Sequence, residues 1–315
     1  MSTIIELQNL THRYGKLVAV NDVSLQIEEG SIFGFIGPNG AGKTTTMRIL
    51  STLLRPTSGD ARVGGCSVCS DPRGVRRQIG YMPDFFGVYN EMKVWEYLDF
   101  FAACYDTPVA KRKGLIDDLL QLVDLSHRRD DYVDSLSRGM KQRLCLARTL
   151  AHDPSVLILD EPASGLDPRA RIEIRELLRE LQAMGKTIFF SSHILLEVAE
   201  ICTTIGIIEA GQLMACGSLE EIQSHRHTRR VKVALTHRAE EAMALLRSVP
   251  NVLNVQLVDK GQRRLELDAD FDGDDATQTE ILTQLIQAGL PVVGFEEAKV
   301  ELEDVFMQVT KGIVS

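Results

Sequence analysis

Gly37-Pro38-Asn39-Gly40-Ala41-Gly42-Lys43-Thr44 fits the pattern G-x-x-x-x-G-K-[ST] without a mismatch. Glycines so arranged let backbone N–H groups converge on phosphate oxygens with no Cβ in the way. The Lys43 ammonium would reach the outer phosphates of a nucleoside triphosphate, and the Thr44 hydroxyl is a hard oxygen suited to Mg²⁺. Two acidic residues, Asp160 and Glu161, follow the apolar run Val156-Leu157-Ile158-Leu159. Such a pair offers one carboxylate to a Mg²⁺ shell, directly or through a water, and one to act on an attacking water. His193 ends the next apolar run, where it could contact the terminal phosphate and orient that water. Ser137 has the residue type of a helix N-cap, and the helix start around Gly139 offers further N–H groups to an anion.

These groups need elements that bring them together. Ser31-Ile32-Phe33-Gly34-Phe35-Ile36 reads as a buried strand leading into the glycine loop, and Thr44 to Leu50 as the start of a helix. The run before Asp160 predicts a central parallel strand. Pro168 to Met184 predicts a helix, with the proline near its first turn. Thr187 to Ser191 predicts the next buried strand. Ile4 to Leu10 and Val20 to Ile27 alternate apolar and polar residues, as half-exposed strands do. A mainly helical stretch from about Val94 to Leu150 interrupts the strand–helix–strand order, and Trp95, Phe100 and Phe101 in its first helix are expected to pack in the core. Beyond a basic segment, His225 to Arg230, read as a solvated linker, a second unit begins. There Val231–Leu235, Asn251–Val258, Arg263–Leu267 and Pro291–Glu296 read as strands, and Ala239–Arg247 and Thr277–Ala288 as helices. Asp259-Lys260-Gly261-Gln262 reads as a hairpin turn, and Glu301–Val309 as a final amphipathic helix. The order β-α-β-β-α-β is that of a ferredoxin-like domain.

The 315 residues are 44% hydrophobic and 25% charged, an ordinary globular composition sufficient for two domains. A net charge of -9 gives no electrostatic reason to bind nucleic acid. No apolar run approaches the roughly 20 residues that span a bilayer, and the first residues lack the layout of a secretion signal. Cys66-Ser67-Val68-Cys69 lacks a second ligand pair for a metal and is read as structural, while Cys104, Cys145, Cys202 and Cys216 sit among apolar residues and are expected in the core.

In their order, these motifs resemble the ATPase subunit of ABC transporters over about residues 1–225. Gly37 to Thr44 corresponds to Walker A, Val156 to Asp160 to Walker B, and Leu136 to Met140 to the signature. Ser164 to Asp167 corresponds to the D-loop and His193 to the switch histidine. The resemblance implies an α/β P-loop NTPase core with an antiparallel β subdomain and a helical insertion at about 90–150. A small C-terminal α+β domain follows at 226–315, similar to an extension on bacterial exporter-type ATPases. It further implies Mg²⁺-dependent ATP hydrolysis, with Glu161, His193 and Lys43 catalytic. ATP would be held by Gly37, Pro38, Asn39, Gly40, Ala41, Gly42, Lys43, Thr44 and Thr45, with Tyr14 stacked on adenine and Ser137 and Gly139 closing over the phosphates. Thr44, Asp160 and Asp84 would hold Mg²⁺, Asp84 standing where the family carries the Q-loop glutamine. The signature also departs, reading Leu-Ser-Arg-Gly-Met where Leu-Ser-Gly-Gly-Gln is usual, and Met140 has no amide to hydrogen-bond.

One Walker A and one signature per chain imply a second copy across two composite sites. The resemblance also implies a multi-span membrane permease subunit as partner and a peripheral location on the cytoplasmic face of the plasma (inner) membrane. Phe85, Phe86 and Tyr89 fall where family members receive a helix of that partner, and local core packing accounts for them equally well. Two other readings fit the same motifs: a soluble ABC ATPase that remodels nucleic acid or scaffolds, and an importer ATPase whose C-terminal domain senses a small molecule.

Overall fold

The computed structural model describes residues 2–85, 87, 91–224, 228–259, 265–298, 306 and 310. Two compact units divide the chain, one of residues 1–219 with 306–315 and one of residues 220–305.

In the first unit, β1 (Thr3–Tyr14) and β2 (Leu17–Glu28) form a long hairpin. β3 (Ile32–Ile36), α1 (Lys43–Leu50), β4 (Ser58–Val63), β5 (Cys66–Ser67), α2 (Pro72–Gln78) and β6 (Ile79–Met82) follow. Next come α3 (Val94–Cys104), α4 (Val109–Leu122), α5 (Arg138–Thr149), β7 (Val156–Leu159) and α6 (Pro168–Ala183). β8 (Thr187–Ser192), α7 (Leu195–Ile201), β9 (Thr204–Glu209) and β10 (Gln212–Gly217) complete it. An antiparallel sheet of order β2-β1-β4-β5 accompanies a six-stranded sheet of order β10-β9-β3-β8-β7-β6. All neighbours from β9 to β6 run parallel, and β10 is an antiparallel edge.

Every residue of β3, β7 and β8 is buried, as strands covered on both faces must be. Phe33 stacks on Phe189 at 5.5 Å, and Phe35 adds a tilted contact at 5.4 Å, so β3 and β8 are locked in register by aromatic packing. Ile36 pairs with Ser192, and Leu159 with Phe190. The glycine loop, Asp160-Glu161 and His193 therefore all leave the sheet at the carboxyl ends of three neighbouring strands.

The aromatic helix differs from expectation. α3 buries Val94, Tyr97, Leu98 and Ala102, one helical stripe, while Trp95 and Phe101 are half-buried and Phe100 is exposed. Tyr97 satisfies its hydroxyl by accepting a hydrogen bond from Arg148, whose guanidinium also covers Phe101. Hydrophobicity alone did not separate the aromatics that face inward from those that lie beside them. Cys104 and Cys216 are likewise exposed rather than core residues, and Cys145 alone of the four is fully buried. Phe85 is exposed, whereas Phe86 and Tyr89 lie outside the described residues.

After α8 (Leu219–Ser224), the second unit runs β11 (Thr228–Leu235), α9 (Ala239–Ser248), β12 (Val252–Asp259), β13 (Leu265–Asp272), α10 (Asp275–Gln287) and β14 (Val292–Ala298). Its sheet has the order β12-β13-β11-β14, antiparallel throughout. This matches the ferredoxin-like order read from sequence. Val231, Val233 and Leu235 alternate into a core with Leu267, Ala269, Phe271, Ile281 and Leu285. Of the turn expected over Asp259 to Gln262, Asp259 ends β12, while residues 260–262 and nearly all of the last helix lie outside the described residues. Arg229 and Arg230 are not linker residues but belong to β11. Arg229 forks onto Glu297 at 2.8 and 2.7 Å, and Arg230 binds its cross-strand partner Asp270 at 2.6 Å. Paired charges on strand faces explain why a basic run need not be solvated.

The cysteine environments give a direct check. Burial pushes the Cys145 thiol up to about 11 and also raises that of Cys202. In mildly alkaline buffer, Cys104 and Cys216 should be alkylated within minutes, and Cys145 and Cys202 only after unfolding. Peptide mass spectrometry reads this, and rapid labelling of Cys145 in folded protein would contradict the packing.

Candidate functional site

Gly42 precedes α1 in a left-handed conformation, φ 107°, and no side chain caps the helix. A Cβ there would come 2.4 Å from the Ala19 carbonyl oxygen, so backbone from β2 closes against the loop only because residue 42 is glycine. The uncapped first turn leaves N–H groups facing an open cleft of about 460 Å³. Asn39, Gly40, Ala41, Gly42, Lys43, Thr44 and Thr45 line that cleft. Tyr14, Asp84, Glu161, Ser164 and His193 line it as well. Gly37, Pro38 and Asp160 are not in its lining.

Lys43 is buried and lies along the loop, donating to the carbonyls of Gly37 at 2.6 Å and Pro38 at 3.2 Å. Its Nζ stands 3.8 Å from Glu161 Oε1. Burial lowers the ammonium from its ordinary value, and the Glu161 and Asp160 carboxylates oppose that shift. An arriving phosphate would substitute for these internal acceptors at no loss of partner. Glu161 Oε2 lies 2.7 Å from His193 Nδ1, so the carboxylate is held between the lysine and the histidine.

Asp160 is buried at the end of β7, and its Oδ1 accepts from Ser191 Oγ at 2.8 Å and Thr44 Oγ1 at 3.3 Å. Burial raises its carboxyl above the usual range, the two hydrogen bonds oppose this, and the Asp84 and Glu161 charges raise it further. A buried carboxylate beside the hydroxyl of Thr44, with Asp84 facing the same cleft, is a hard-oxygen set that suits Mg²⁺. No group of three or more His, Cys, Asp or Glu among the described residues could by itself hold a metal ion, and a cation carried in with phosphates does not need one.

Ser191 went unassigned in the sequence reading. Its hydroxyl donates to Asp160 and accepts from the Glu161 backbone N–H at 2.9 Å. A serine ending the apolar run Thr187-Ile188-Phe189-Phe190 was the available signal. Glu161 itself has φ 52°, a left-handed backbone rare outside glycine and held here by that hydrogen bond. His12, also unassigned, is buried and stands edge-on to Tyr14 at 4.6 Å.

Ser137 and Gly139 do not line the cleft. Ser137 caps α5, accepting from the Met140 N–H at 3.3 Å, and remains exposed. Gln142, one turn into α5, donates to the Pro162 carbonyl at 2.6 Å and ties this helix to the loop after Glu161.

Comparisons with known proteins identify the family. A family model described as ABC transporter matches residues 20–164. Nod factor export ATP-binding protein I of Burkholderia orbicola is 39% identical over 214 residues, 68% of this chain and 70% of that protein. The chain belongs to the ATP-binding proteins of ABC transporters. It is an ABC-type ATPase with a second domain, since a model described as the C-terminal domain of DrrA1-3-like ATP-binding proteins matches residues 217–310. Linearmycin resistance ATP-binding protein LnrL of Bacillus subtilis is 28% identical over 308 residues, 98% of each chain. The chain spans 65% of a longer, uncharacterized ABC transporter ATP-binding protein of Nostoc sp. to which it is 38% identical. A solved ATP-binding subunit of an ABC transporter superposes with a TM-score of 0.64 at 30% identity, covering 70% of this chain and 92% of that one.

Ser191→Ala should strip a buried carboxylate of one donor and leave the Glu161 N–H without its partner. We expect a loss of about 1–3 kcal/mol in urea unfolding of the nucleotide-free protein. Unchanged stability would mean that water replaces the hydroxyl.

Proposed function

We propose that two copies of this chain clasp two Mg²⁺-ATP molecules between them and that hydrolysis drives export through a separate multi-span membrane permease. The observation that supports this most directly is the division of the motifs within one chain. Lys43, Thr44, Glu161 and His193 share a cleft, while Ser137 and Gly139 stand outside it at the start of α5. A second copy related by a two-fold axis supplies its own Ser137 hydroxyl and helix N-terminus to each cleft and receives the same in return.

In this reading the loop N–H groups and Lys43 hold the β- and γ-phosphates, and Tyr14 stacks on adenine at the cleft mouth. Thr44, Asp160 and Asp84 would hold Mg²⁺, which when bound neutralises charge on the phosphates. Glu161 accepts a proton from the attacking water. His193, hydrogen-bonded to that carboxylate, keeps it and the water in line with the scissile bond. Lys43 stabilises the charge that develops on the transferred phosphoryl group. Loss of that phosphate removes acceptors shared by both copies, and they separate.

Export rather than import is favoured by the C-terminal model and by the relatives, one named for Nod factor export and one for linearmycin resistance. No helix among the described residues is long and apolar enough to cross a membrane. The protein would dock on the cytoplasmic face through its permease.

Glu161→Gln keeps the shape of the side chain and removes its basicity. The variant should retain Mg²⁺-ATP, sediment as a dimer in its presence, and hydrolyse it on the order of 100-fold more slowly or worse. Phosphate release near the parental rate would refute the role given to Glu161. A strictly monomeric variant at saturating ATP would refute the shared site.

A further inference from the structure

The signature carries arginine at 138, and the structure places that side chain where glycine could not reach. Arg138 is the first residue of α5. Its guanidinium crosses to the loop that precedes α6, where Nη2 donates to the Ser164 carbonyl at 3.1 Å. It also seats flat against Gly165, where an added Cβ would fall 2.4 Å from Arg138 Cζ. Gly165 has φ 67°, so both its backbone and the space above it exclude larger residues. One residue along, a Cβ on Gly139 would come 3.2 Å from Ala170 Cβ, so the starts of α5 and α6 are pressed together at this point. Ser164 itself lines the nucleotide cleft of the same chain.

The other end of this loop is held in the same manner. Arg171 Nε donates to the Leu166 carbonyl at 3.0 Å and lies 3.7 Å from Glu197 Oε1. Glu197 Oε2 accepts from Ser192 Oγ at 3.3 Å, and Ser192 adjoins His193. The loop is therefore strung between an arginine of the signature and an arginine joined to the switch histidine's strand.

We propose that Arg138 is a positioning residue that makes the two composite sites communicate. The idea rests on the two-copy reading above. When the signature of one copy settles on its partner's nucleotide, Arg138 carries that position into Ser164 and Gly165 of its own chain. Those residues border the cleft in which the same chain holds its own ATP. With Gly at 138 the signature would still present the Ser137 hydroxyl and helix N–H groups, and the link to the loop would be absent.

The test compares Arg138→Gly, Arg138→Met and Arg138→Lys in the full chain with Gly165→Ala and the double variant Arg138→Gly/Gly165→Ala. Binding of a fluorescent ATP analogue to dilute protein should be unchanged in the three Arg138 variants, because Arg138 does not line the cleft. In Arg138→Gly and Arg138→Met, kcat should fall about ten-fold and the dependence of rate on ATP should lose its cooperativity. Arg138→Lys should recover part of the loss by donating one hydrogen bond to Ser164. Gly165→Ala should reproduce the defect by displacing the guanidinium, and the double variant should be no worse than either single one. If Arg138→Gly and Arg138→Met both keep kcat and cooperativity within about two-fold of the parent, the proposal fails. So does a defect seen equally in analogue binding, which would mark a general loss of fold. The two-copy reading is judged separately: should Glu161→Gln with Arg138 intact not dimerise with ATP, that reading fails first.

Discussion

One serine hydroxyl holds the ends of two strands together, and the site depends on it. Ser191 sits at the end of β8, fully buried, and bonds both the carboxylate of Asp160 and the N–H of Glu161 at the end of β7. Apolar strands supply register but no direction for polar side chains, and the stacked Phe33 and Phe189 rings fix only how β3 and β8 lie. The serine turns that register into chemistry. It aims one carboxylate down toward Thr44 and leaves the next one facing out between Lys43 and His193.

Two neighbouring carboxylates thus acquire different surroundings. Asp160 is sunk below the cleft, with its charge opposed by burial and supported by two hydroxyls. A cation is the remaining partner that would make that charge favourable. Glu161 lines the cleft, steadied by a histidine. Carboxylates one residue apart face different surroundings because the chain leaves β7 at Leu159 and turns through the left-handed backbone of Glu161.

Much of this was readable before any coordinates. The glycine loop, the buried strands around it and the six-element C-terminal order stand where the residue patterns put them, because each carries a strong local signal. Three kinds of feature were not legible. The β9–β10 hairpin turns at Ala210-Gly211 with φ 47° and 80°, without the Asn-Gly or Asp-Gly that announces such a turn. The facing of Trp95, Phe100 and Phe101 and of Cys104 and Cys216 depends on what packs against them, which apolar character does not record. Arg229 and Arg230 read as linker because their acidic partners, Glu297 and Asp270, come from strands distant in the chain. Ser191 escaped for the same reason: its partners, Asp160 and Glu161, lie 31 and 30 residues away.

The left-handed backbone of Glu161 has a further bearing on how this protein can change. Non-glycine residues held there give up on the order of 1–3 kcal/mol of conformational ease. On the role proposed for Glu161, glycine or asparagine at this position would relieve the backbone strain and at the same time remove the base. A laboratory selection for heat resistance alone would drift toward such inert forms, so a screen must score turnover alongside survival.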